Sequence, residues 1–192
     1  GIDKWGIIKK IVAPDRTSGD FFGYSVAISE NIIVIGAYAE DHDASGNNFI
    51  DGAGSAYIFY HESSDPADWV FKKKLISTIR TATDRFGMYT DISDTTIFVA
   101  ADLEDEDGIE ANTINNAGAI YIFNRNNGGA DNWGMAKKIV ASDRMTSDAF
   151  GRMSVSDSNL IVGVMNQDYD VNGANFLDGS GAVYIFSKNS GG

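Results

Sequence analysis

Short runs of apolar residues, each bounded by polar turns, recur along the chain. Residues 24–29 alternate between apolar and polar positions, as expected of a strand with one buried face. Residues 31–37 form an almost continuous apolar run, which is typical of a short strand buried on both faces. Residues 54–60 alternate again and are rich in aromatic side chains. A fourth run, residues 5–12, is rich in β-branched residues, and no stretch reads as a capped amphipathic helix, so the pattern predicts an all-β fold.

These features return every 64 residues. A Phe-Gly pair and a Trp keep this spacing, at Phe22, Phe86 and Phe150 and at Trp5, Trp69 and Trp133. A Gly-x-x-Tyr-Ile-Phe motif begins at Gly54, Gly118 and, one residue early, Gly181. Repeats of this size usually mean one supersecondary unit stacked on copies of itself. We therefore divide the chain into three repeats, residues 1–64, 65–128 and 129–192.

Four short strands in each repeat are typical of a β-propeller, in which four-stranded antiparallel sheets (blades) surround an axis. A β-sandwich also contains short strands at regular spacing. Sandwich strands have no reason to repeat in groups of four, however, so the 64-residue period favours the propeller. The sequence predicts an all-β propeller with three blades in this chain.

The order of the motifs resembles the FG-GAP repeat. Phe22-Gly23 is followed by an apolar run that ends in Gly36-Ala37 and then by the Gly-x-x-Tyr-Ile-Phe motif, although the second and third copies lack the Gly-Ala pair. FG-GAP repeats form the propellers of integrin α-subunits and occur in many extracellular bacterial proteins. The resemblance, which covers essentially the whole chain, implies a propeller of about seven blades. It also implies a secreted or cell-surface location, and binding more often than catalysis.

The ends of the repeat series predict an assembly. Closed propellers have ~4–8 blades, so three are too few. If the Trp strand follows the Tyr strand within a blade, residues 5–12 belong to no blade of this chain and the third blade lacks its outer strand. The two open edges would complement each other in a head-to-tail contact between chains. We expect a homodimer that closes a six-bladed ring; the alternatives are an excised piece of a longer array, a longer head-to-tail assembly and a self-sufficient monomer.

Composition and charge limit the chemistry. The 192 residues include no cysteine, which excludes a disulfide, a thiolate metal site and a cysteine nucleophile. The formal net charge of −12 repels phosphate backbones and anionic lipids. We therefore expect that the chain neither binds nucleic acid nor inserts into a membrane. No signal peptide is visible, and we interpret the chain as a mature, trimmed or excised segment.

An acidic loop precedes each Tyr strand and is the candidate metal site. The first and third loops begin Asp-x-Asp-x-(Ser/Asn)-Gly, the opening of an EF-hand-like calcium loop in which alternate oxygens and a glycine turn surround a hard cation. Each has an Asp at position eleven instead of a Glu at position twelve. The predicted calcium ligands are Asp41, Asp43, Ser45 and Asp51 in the first loop and Asp168, Asp170, Asn172 and Asp178 in the third. The second loop keeps Asp105 and Asp107 but misplaces the glycine.

A structural interpretation of these loops stays open beside the metal site. In integrin-type repeats the cation loop lies one connection earlier, where this chain has only a short turn at residues 29–31, so the family's ligands cannot be transferred by position. The alternative is a solvated acidic loop that Asx-turns hold together. We expect Phe49 and Phe176 in these loops, with the residues that follow them, to pack into the blade. We expect Asp20, Asp84 and Asp148, each two residues before a Phe-Gly pair, to bond to the backbone of a turn.

Three functions are compatible with these patterns. The first is a non-catalytic extracellular binding or adhesion module, with calcium in its loops and a protein or glycan as its ligand. The second is a structural subunit that polymerises head to tail into a fibre or array. The third is a polysaccharide hydrolase or lyase with acidic pairs such as Asp105 and Asp107 as acid and base. We favour the first, because His42 and His61 do not recur and the sequence has no nucleophile elbow, P-loop or zinc-protease motif.

Overall fold

The computed structural model describes residues 4–189, and within that range the chain contains eleven β-strands and no helix. The strands are β1 (Ser25–Ser29), β2 (Ile32–Ala37), β3 (Ser55–His61), β4 (Trp69–Leu75), β5 (Phe86–Ser93), β6 (Thr96–Ala101), β7 (Ala119–Asn124), β8 (Gly134–Ile139), β9 (Arg152–Ser156), β10 (Asn159–Val164) and β11 (Ala182–Ser187). The prediction of an all-β fold is confirmed.

The strands form three antiparallel sheets, each a meander in chain order. The first sheet is β1-β2-β3-β4, the second is β5-β6-β7-β8, and the third is β9-β10-β11. Each complete sheet takes its outer strand from the Trp run of the following repeat, so sheets and sequence repeats are offset by one strand. The third sheet has three strands in the described part of the chain. These sheets are the propeller blades that the sequence predicts.

One predicted strand does not form. Residues 5–13, called here the Trp5 segment, have no strand structure, and Trp5 is 97% exposed. A strand satisfies its backbone N–H and C=O groups only beside another strand. The Trp5 segment has no such neighbour within residues 4–189, although its sequence closely matches residues 133–141, the Trp133 segment, which contains β8.

Apolar faces of neighbouring sheets pack on one another. Val34 and Ile58 of the first sheet share a buried cluster with Val99 of the second. Ile120 of the second sheet shares another with Val162 of the third. Each sheet therefore buries one face against the next, and this stacking accounts for most of the apolar burial in the chain.

The Phe of each Phe-Gly pair packs edge-on against the Tyr of its own sheet. The ring centroids are 5.3 Å apart for Phe22 with Tyr57, 5.3 Å for Phe86 with Tyr121 and 5.8 Å for Phe150 with Tyr184. This T-shaped arrangement is favourable between aromatic quadrupoles. The 64-residue motif thus corresponds to one recurring contact.

The glycine before the Tyr strand is required by close approach of the next sheet. Gly54 has a φ of +82°, and a Cβ there would lie 2.1 Å from the carbonyl oxygen of Phe86. Gly118 has a φ of +84°, and its Cβ would lie 2.4 Å from the carbonyl oxygen of Phe150. Any side chain would push the two sheets apart, so the motif glycine sets the spacing between blades.

The first strands of neighbouring sheets lie side by side, β1 beside β5 and β5 beside β9. The Ser25 hydroxyl donates to the Gly87 carbonyl at 2.9 Å, and the Val155 N–H donates to Asp91 Oδ2 at 2.7 Å. These strands form the inner side of the stack, and β4 and β8 form its outer side. The Phe-Gly turns and the acidic loops share one end of the sheets, called here the loop end, because β1 begins, β2 ends and β3 begins there.

Candidate functional site

A buried aspartate holds each Phe-Gly turn, as the sequence predicts. Asp20 accepts the N–H of Thr17. Asp84 accepts the N–H of Thr81 at 2.9 Å, and Asp148 accepts that of Met145 at 2.8 Å. Burial, reinforced by the charge of Glu104, raises the pKa of Asp84 to about 8, and burial also raises the pKa of Asp148. The predicted turn bonds are confirmed.

The first acidic loop is folded around its own aspartates. Asp41 Oδ1 accepts the N–H of Gly52 at 2.7 Å. Asp43 Oδ1 accepts the N–H of Ser45 at 2.8 Å and that of Asn47 at 3.2 Å, and the Ser45 hydroxyl also donates to Asp43. These bonds, from the Ser45 hydroxyl first, hold the pKa of Asp43 well below its usual range. Asp51 lies exposed where the loop ends.

The second and third loops repeat this geometry. Asp105 and Asp168 accept the N–H eleven residues ahead, at 2.6 Å and 2.7 Å. Asp107 accepts the N–H of Ala111 at 3.1 Å, which lowers the pKa of Asp107 to about 2, and Asp170 accepts the N–H of Asn172 at 3.0 Å. Asp178 lies exposed, as Asp51 does. Asx-turns therefore close all three loops.

The displaced glycine of the second loop does not change its fold. The left-handed position that Gly46 and Gly173 occupy, with φ of 75° and 67°, is occupied by Glu110 with a φ of 57°. The Glu110 side chain turns back to pair with Lys138 at 2.8 Å. The expectation that Phe49 and Phe176 pack into the blade is wrong, since both are exposed, as is Leu177 after Phe176, and their rings instead cover their own loops.

One group of three carboxylates within residues 4–189 has oxygens all within 4.8 Å of one another, and it lies outside the predicted ligand sets: Glu104, Glu106 and Glu110. The ammonium of Lys138 lies among them, 3.1 Å from Glu104 and 2.8 Å from Glu110. Although burial opposes it, hydrogen bonds and the Lys138 charge hold the pKa of Glu104 low, whereas the Glu104 carboxylate raises the pKa of Glu106. A lysine thus occupies the place where this group would hold a cation. Calcium in the first and third acidic loops stays a prediction.

A buried lysine on the outer strand is a second recurring feature. Lys74 pairs with Glu40 at 2.8 Å and lies over the ring of Tyr57, 5.5 Å from its centroid. Lys138 repeats this with Glu104 and lies 5.3 Å from the Tyr121 centroid. Sequence reasoning missed this contact, although one lysine of the Lys-Lys pair must face inward on an alternating strand.

The third sheet keeps the polar partners of this lysine site. The Tyr184 hydroxyl donates to Asp143 Oδ1 at 2.6 Å. Gln167, at the position of Glu104, is buried and donates to the Tyr184 oxygen at 3.1 Å. The tyrosine and the polar groups around it are therefore present in all three sheets.

A cluster at the loop end does not repeat. We call it the axial cluster, and its residues are Tyr38, Arg85, Tyr89, Asp102 and Arg152. The guanidinium of Arg85 lies 5.8 Å from the Tyr38 ring centroid, and that of Arg152 lies 5.5 Å from the Tyr89 ring centroid. Both are cation–π distances.

Asp102 is the buried acceptor of the axial cluster. It is 6% exposed, and its Oδ1 has no hydrogen-bond partner among residues 4–189. Burial raises the pKa of Asp102, and the charges of Arg85 and Arg152 oppose that shift. A buried oxygen without a partner is costly, so it marks a place where a ligand donor would be stabilising.

The axial cluster arises where the repeats differ. The counterparts of Arg85 are Phe21 and Ala149, and those of Asp102 are Tyr38 and Met165. Sequence reasoning missed the cluster because one chain offers no way to separate a functional difference between repeats from drift. The signal was present as two arginines and one aspartate that interrupt otherwise apolar positions.

The comparisons with known proteins agree with the motif order. A family model described as the FG-GAP repeat matches residues 5–59 and 133–186, which together are more than half of the chain. No match was found among curated proteins. No helix in the described residues is long and apolar enough to cross a membrane. Because the matched repeats include the Phe-Gly turn and the Tyr strand described above, the chain belongs to the FG-GAP repeat family.

Proposed function

We propose that the chain is a non-catalytic extracellular binding module built of FG-GAP propeller blades, with the axial cluster as its ligand site. The observation that carries this proposal is that the three blades do not share this cluster, in which two guanidinium groups lie beside a buried acceptor without a partner among residues 4–189. The repeated polar groups already have structural partners, since the turn aspartates and the loop aspartates accept backbone N–H groups.

The chemistry of the cluster favours a ligand that carries a carboxylate or sulfate beside a hydrogen-bond donor. Arg85 and Arg152 present two guanidinium groups, which bind planar oxyanions in bidentate fashion. Asp102 Oδ1 would accept from a hydroxyl or amide of the same ligand. Acidic glycans and acidic peptides both have this combination, and the tyrosine rings suit either.

The same cluster argues for binding over glycoside hydrolysis. Glycosidases use two carboxyl groups, roughly 5–10 Å apart, as acid and base or nucleophile. The axial cluster contains one carboxylate, Asp102, between two arginines. Asp105 and Asp107, the acidic pair considered from sequence, accept backbone N–H groups of their own loop. These contacts support a structural role for that pair.

The test is a calorimetric binding titration at about 0.15 M salt. The two probes are oligogalacturonate and a glutamate-containing peptide. We expect one probe to bind, and Arg85→Ala and Arg152→Ala each to weaken it at least tenfold. Arg125→Ala is the matched control, because Arg125 lies after β7 at the opposite end of the sheets. The proposal fails if neither probe binds, or if the two cluster variants bind as well as the control.

A further inference from the structure

The second and third sheets meet at the axial cluster, where the turn that carries Ala149 faces Asp102. We propose that Ala149 is a specificity-determining residue of the ligand site, because its short side chain leaves the buried Asp102 carboxylate free to accept a hydrogen bond from a ligand. The inference rests on the proposed function, since it concerns the same site. It adds a residue outside the axial cluster and accounts for the missing partner of Asp102 Oδ1.

The turn before each Phe-Gly pair presents one side chain in the same backbone conformation. Phe21, Arg85 and Ala149 have φ of 54°, 62° and 56°, in the left-handed region that residues other than glycine seldom adopt. The N–H of Arg85 donates to the carbonyl of Gly52 at 3.1 Å. The N–H of Ala149 donates in the same way to Asn116, also at 3.1 Å. The end of the preceding acidic loop therefore fixes both turns alike.

Between the first and second sheets, this turn residue is an arginine over an aromatic ring. The Arg85 guanidinium lies 5.8 Å from the ring centroid of Tyr38, the residue that follows β2. The turn itself lies against the end of β2, because a Cβ on Gly87 would lie 3.2 Å from the backbone nitrogen of Ala37. A side chain at this turn position thus reaches the residue after the second strand of the preceding sheet.

Between the second and third sheets, the residue in that place is Asp102, which follows β6. A Cβ on Gly151 would lie 3.4 Å from the Cβ of Asp102. A Cβ on Gly118 would lie 2.5 Å from the nitrogen of Phe150 and 3.0 Å from the carbonyl oxygen of Asp102. The turn that carries Ala149 therefore lies against Asp102, as the equivalent turn of the second sheet lies against the first.

The methyl group of Ala149 offers Asp102 no hydrogen bond. The charges of Arg85 and Arg152 act on Asp102, but among residues 4–189 no ion pair joins either guanidinium to it. Asp102 is buried, and a buried carboxylate oxygen without a donor costs stability. An arginine in place of Ala149 would recover that stability and would take the acceptor away from a ligand.

The consequence is a selection between two kinds of anion. Two guanidinium groups attract any carboxylate or sulfate, whereas the Asp102 carboxylate repels an anion that brings no donor. A ligand with a hydroxyl or amide beside its acidic group replaces that repulsion with a hydrogen bond. Ala149 thus favours acidic ligands that also donate, such as a uronate, over simple inorganic anions.

The first test is urea unfolding, which needs no ligand. Ala149→Arg should raise the urea midpoint by roughly 0.5 M, because the new guanidinium pairs with Asp102. The backbone accepts an arginine there, since Arg85 has the same conformation. In an Asp102→Asn background the same change should not raise the midpoint. Ala149→Met, which is about as long but uncharged, is the matched control and should raise it in neither background. No rise, or an equal rise in both backgrounds, would overturn the proposal.

The second test repeats the calorimetric titration with oligogalacturonate and the glutamate-containing peptide. A cation added beside two arginines should, by charge alone, tighten the binding of an acidic probe. We expect the opposite sign: Ala149→Arg should weaken binding at least tenfold, because Asp102 no longer accepts from the probe. Ala149→Gly leaves Asp102 open and should bind within twofold of the native chain. Tighter binding by Ala149→Arg, or equal weakening by Ala149→Gly, would contradict the role of Ala149.

The two tests separate a failure of this inference from a failure of the proposed function. If the native chain binds neither probe, the ligand site is wrong and the ligand role of Ala149 falls with it; the urea comparison then still decides whether Ala149 leaves Asp102 unpaired. If the native chain binds a probe and Ala149→Arg binds it equally well, the ligand site stands and the role of Ala149 is wrong.

Discussion

The Trp5 segment and the Trp133 segment have nearly the same sequence but differ in secondary structure and burial. Trp133 is buried between two sheets, and its segment forms β8. Trp5 is exposed, and its segment has no strand structure. Lys138 is buried among carboxylates, whereas its counterpart Lys10 is exposed. Since the local sequence is almost constant, the difference comes from the neighbouring strand, which one segment has and the other lacks.

This comparison shows where the strand's stability comes from. An isolated run of β-branched residues gains little from its propensity, because strand propensity mainly measures packing against neighbours. The Trp133 segment gains a ladder with β7, a buried indole and a buried ion pair. Each of these gains can be removed separately and compared with the same change in the Trp5 segment.

Replacing the indole should give the largest effect. Trp133→Ala leaves a cavity between two sheets and removes the hydrogen bond to Tyr60, so we expect it to lower the free energy of unfolding by about 3–5 kcal/mol. The measurement is urea unfolding followed by circular dichroism, at a concentration where the chain is monomeric. Trp5→Ala is the matched control, and as a surface change it should stay within about 0.5 kcal/mol. Similar losses in the two variants would contradict the assignment of strand stability to the neighbour.

Removing the buried ammonium should cost somewhat less. Lys138→Met leaves Glu104 buried without its partner, and we expect a loss of about 3 kcal/mol in urea unfolding. The double variant with Glu104→Gln should recover most of that loss, because Gln167 occupies the same position in the third sheet and is buried there. Lys137→Met, at the exposed neighbour, is the control and should change stability by less than about 0.5 kcal/mol. No recovery in the double variant would mean that Lys138 acts through packing and not through its charge.

The sequence predicted those parts of the fold that every repeat must satisfy. The Phe–Tyr contact, the glycine at the close approach and the turn aspartate each have one physical cause, so their residues return every 64 positions. The offset between sheets and repeats could also be predicted. If the Trp strand follows the Tyr strand within one sheet, each sheet takes its last strand from the next 64-residue repeat.

The candidate site was less predictable, because it depends on contacts between residues far apart in sequence. Asp102 becomes a buried acceptor only when β6 lies next to the arginines that precede β5 and begin β9. The exposed Phe49 shows the opposite error, since an apolar residue in a loop was assigned to the blade, although its ring covers the loop itself. Alternation along a strand indicates which face is buried, but it does not indicate what lies across from a loop.

The smallest expected effect is a difference between the second and third sheets in how stability depends on pH. The folded chain raises the pKa of Asp84 to about 8 from the ordinary 3.8, so between these values it holds a proton that the unfolded chain releases. The stability that Asp84 contributes is therefore complete below about pH 4, falls as the pH rises to 8, and is constant above that. Asp84→Asn keeps an acceptor for the Thr81 N–H but does not titrate. Its stabilisation relative to wild type should grow by at least about 1.4 kcal/mol between pH 5 and pH 8.

Asp148→Asn is the matched variant in the third sheet. Asp148 also has a raised pKa, but the uncharged Gln167 lies at the position where Asp84 faces Glu104. The gain from Asp148→Asn between pH 5 and pH 8 should therefore be smaller, and Glu104→Gln should reduce the gain from Asp84→Asn. Urea unfolding at the two pH values measures all of these variants. Equal gains at Asp84 and Asp148 would contradict the assignment of the larger shift at Asp84 to the charge of Glu104.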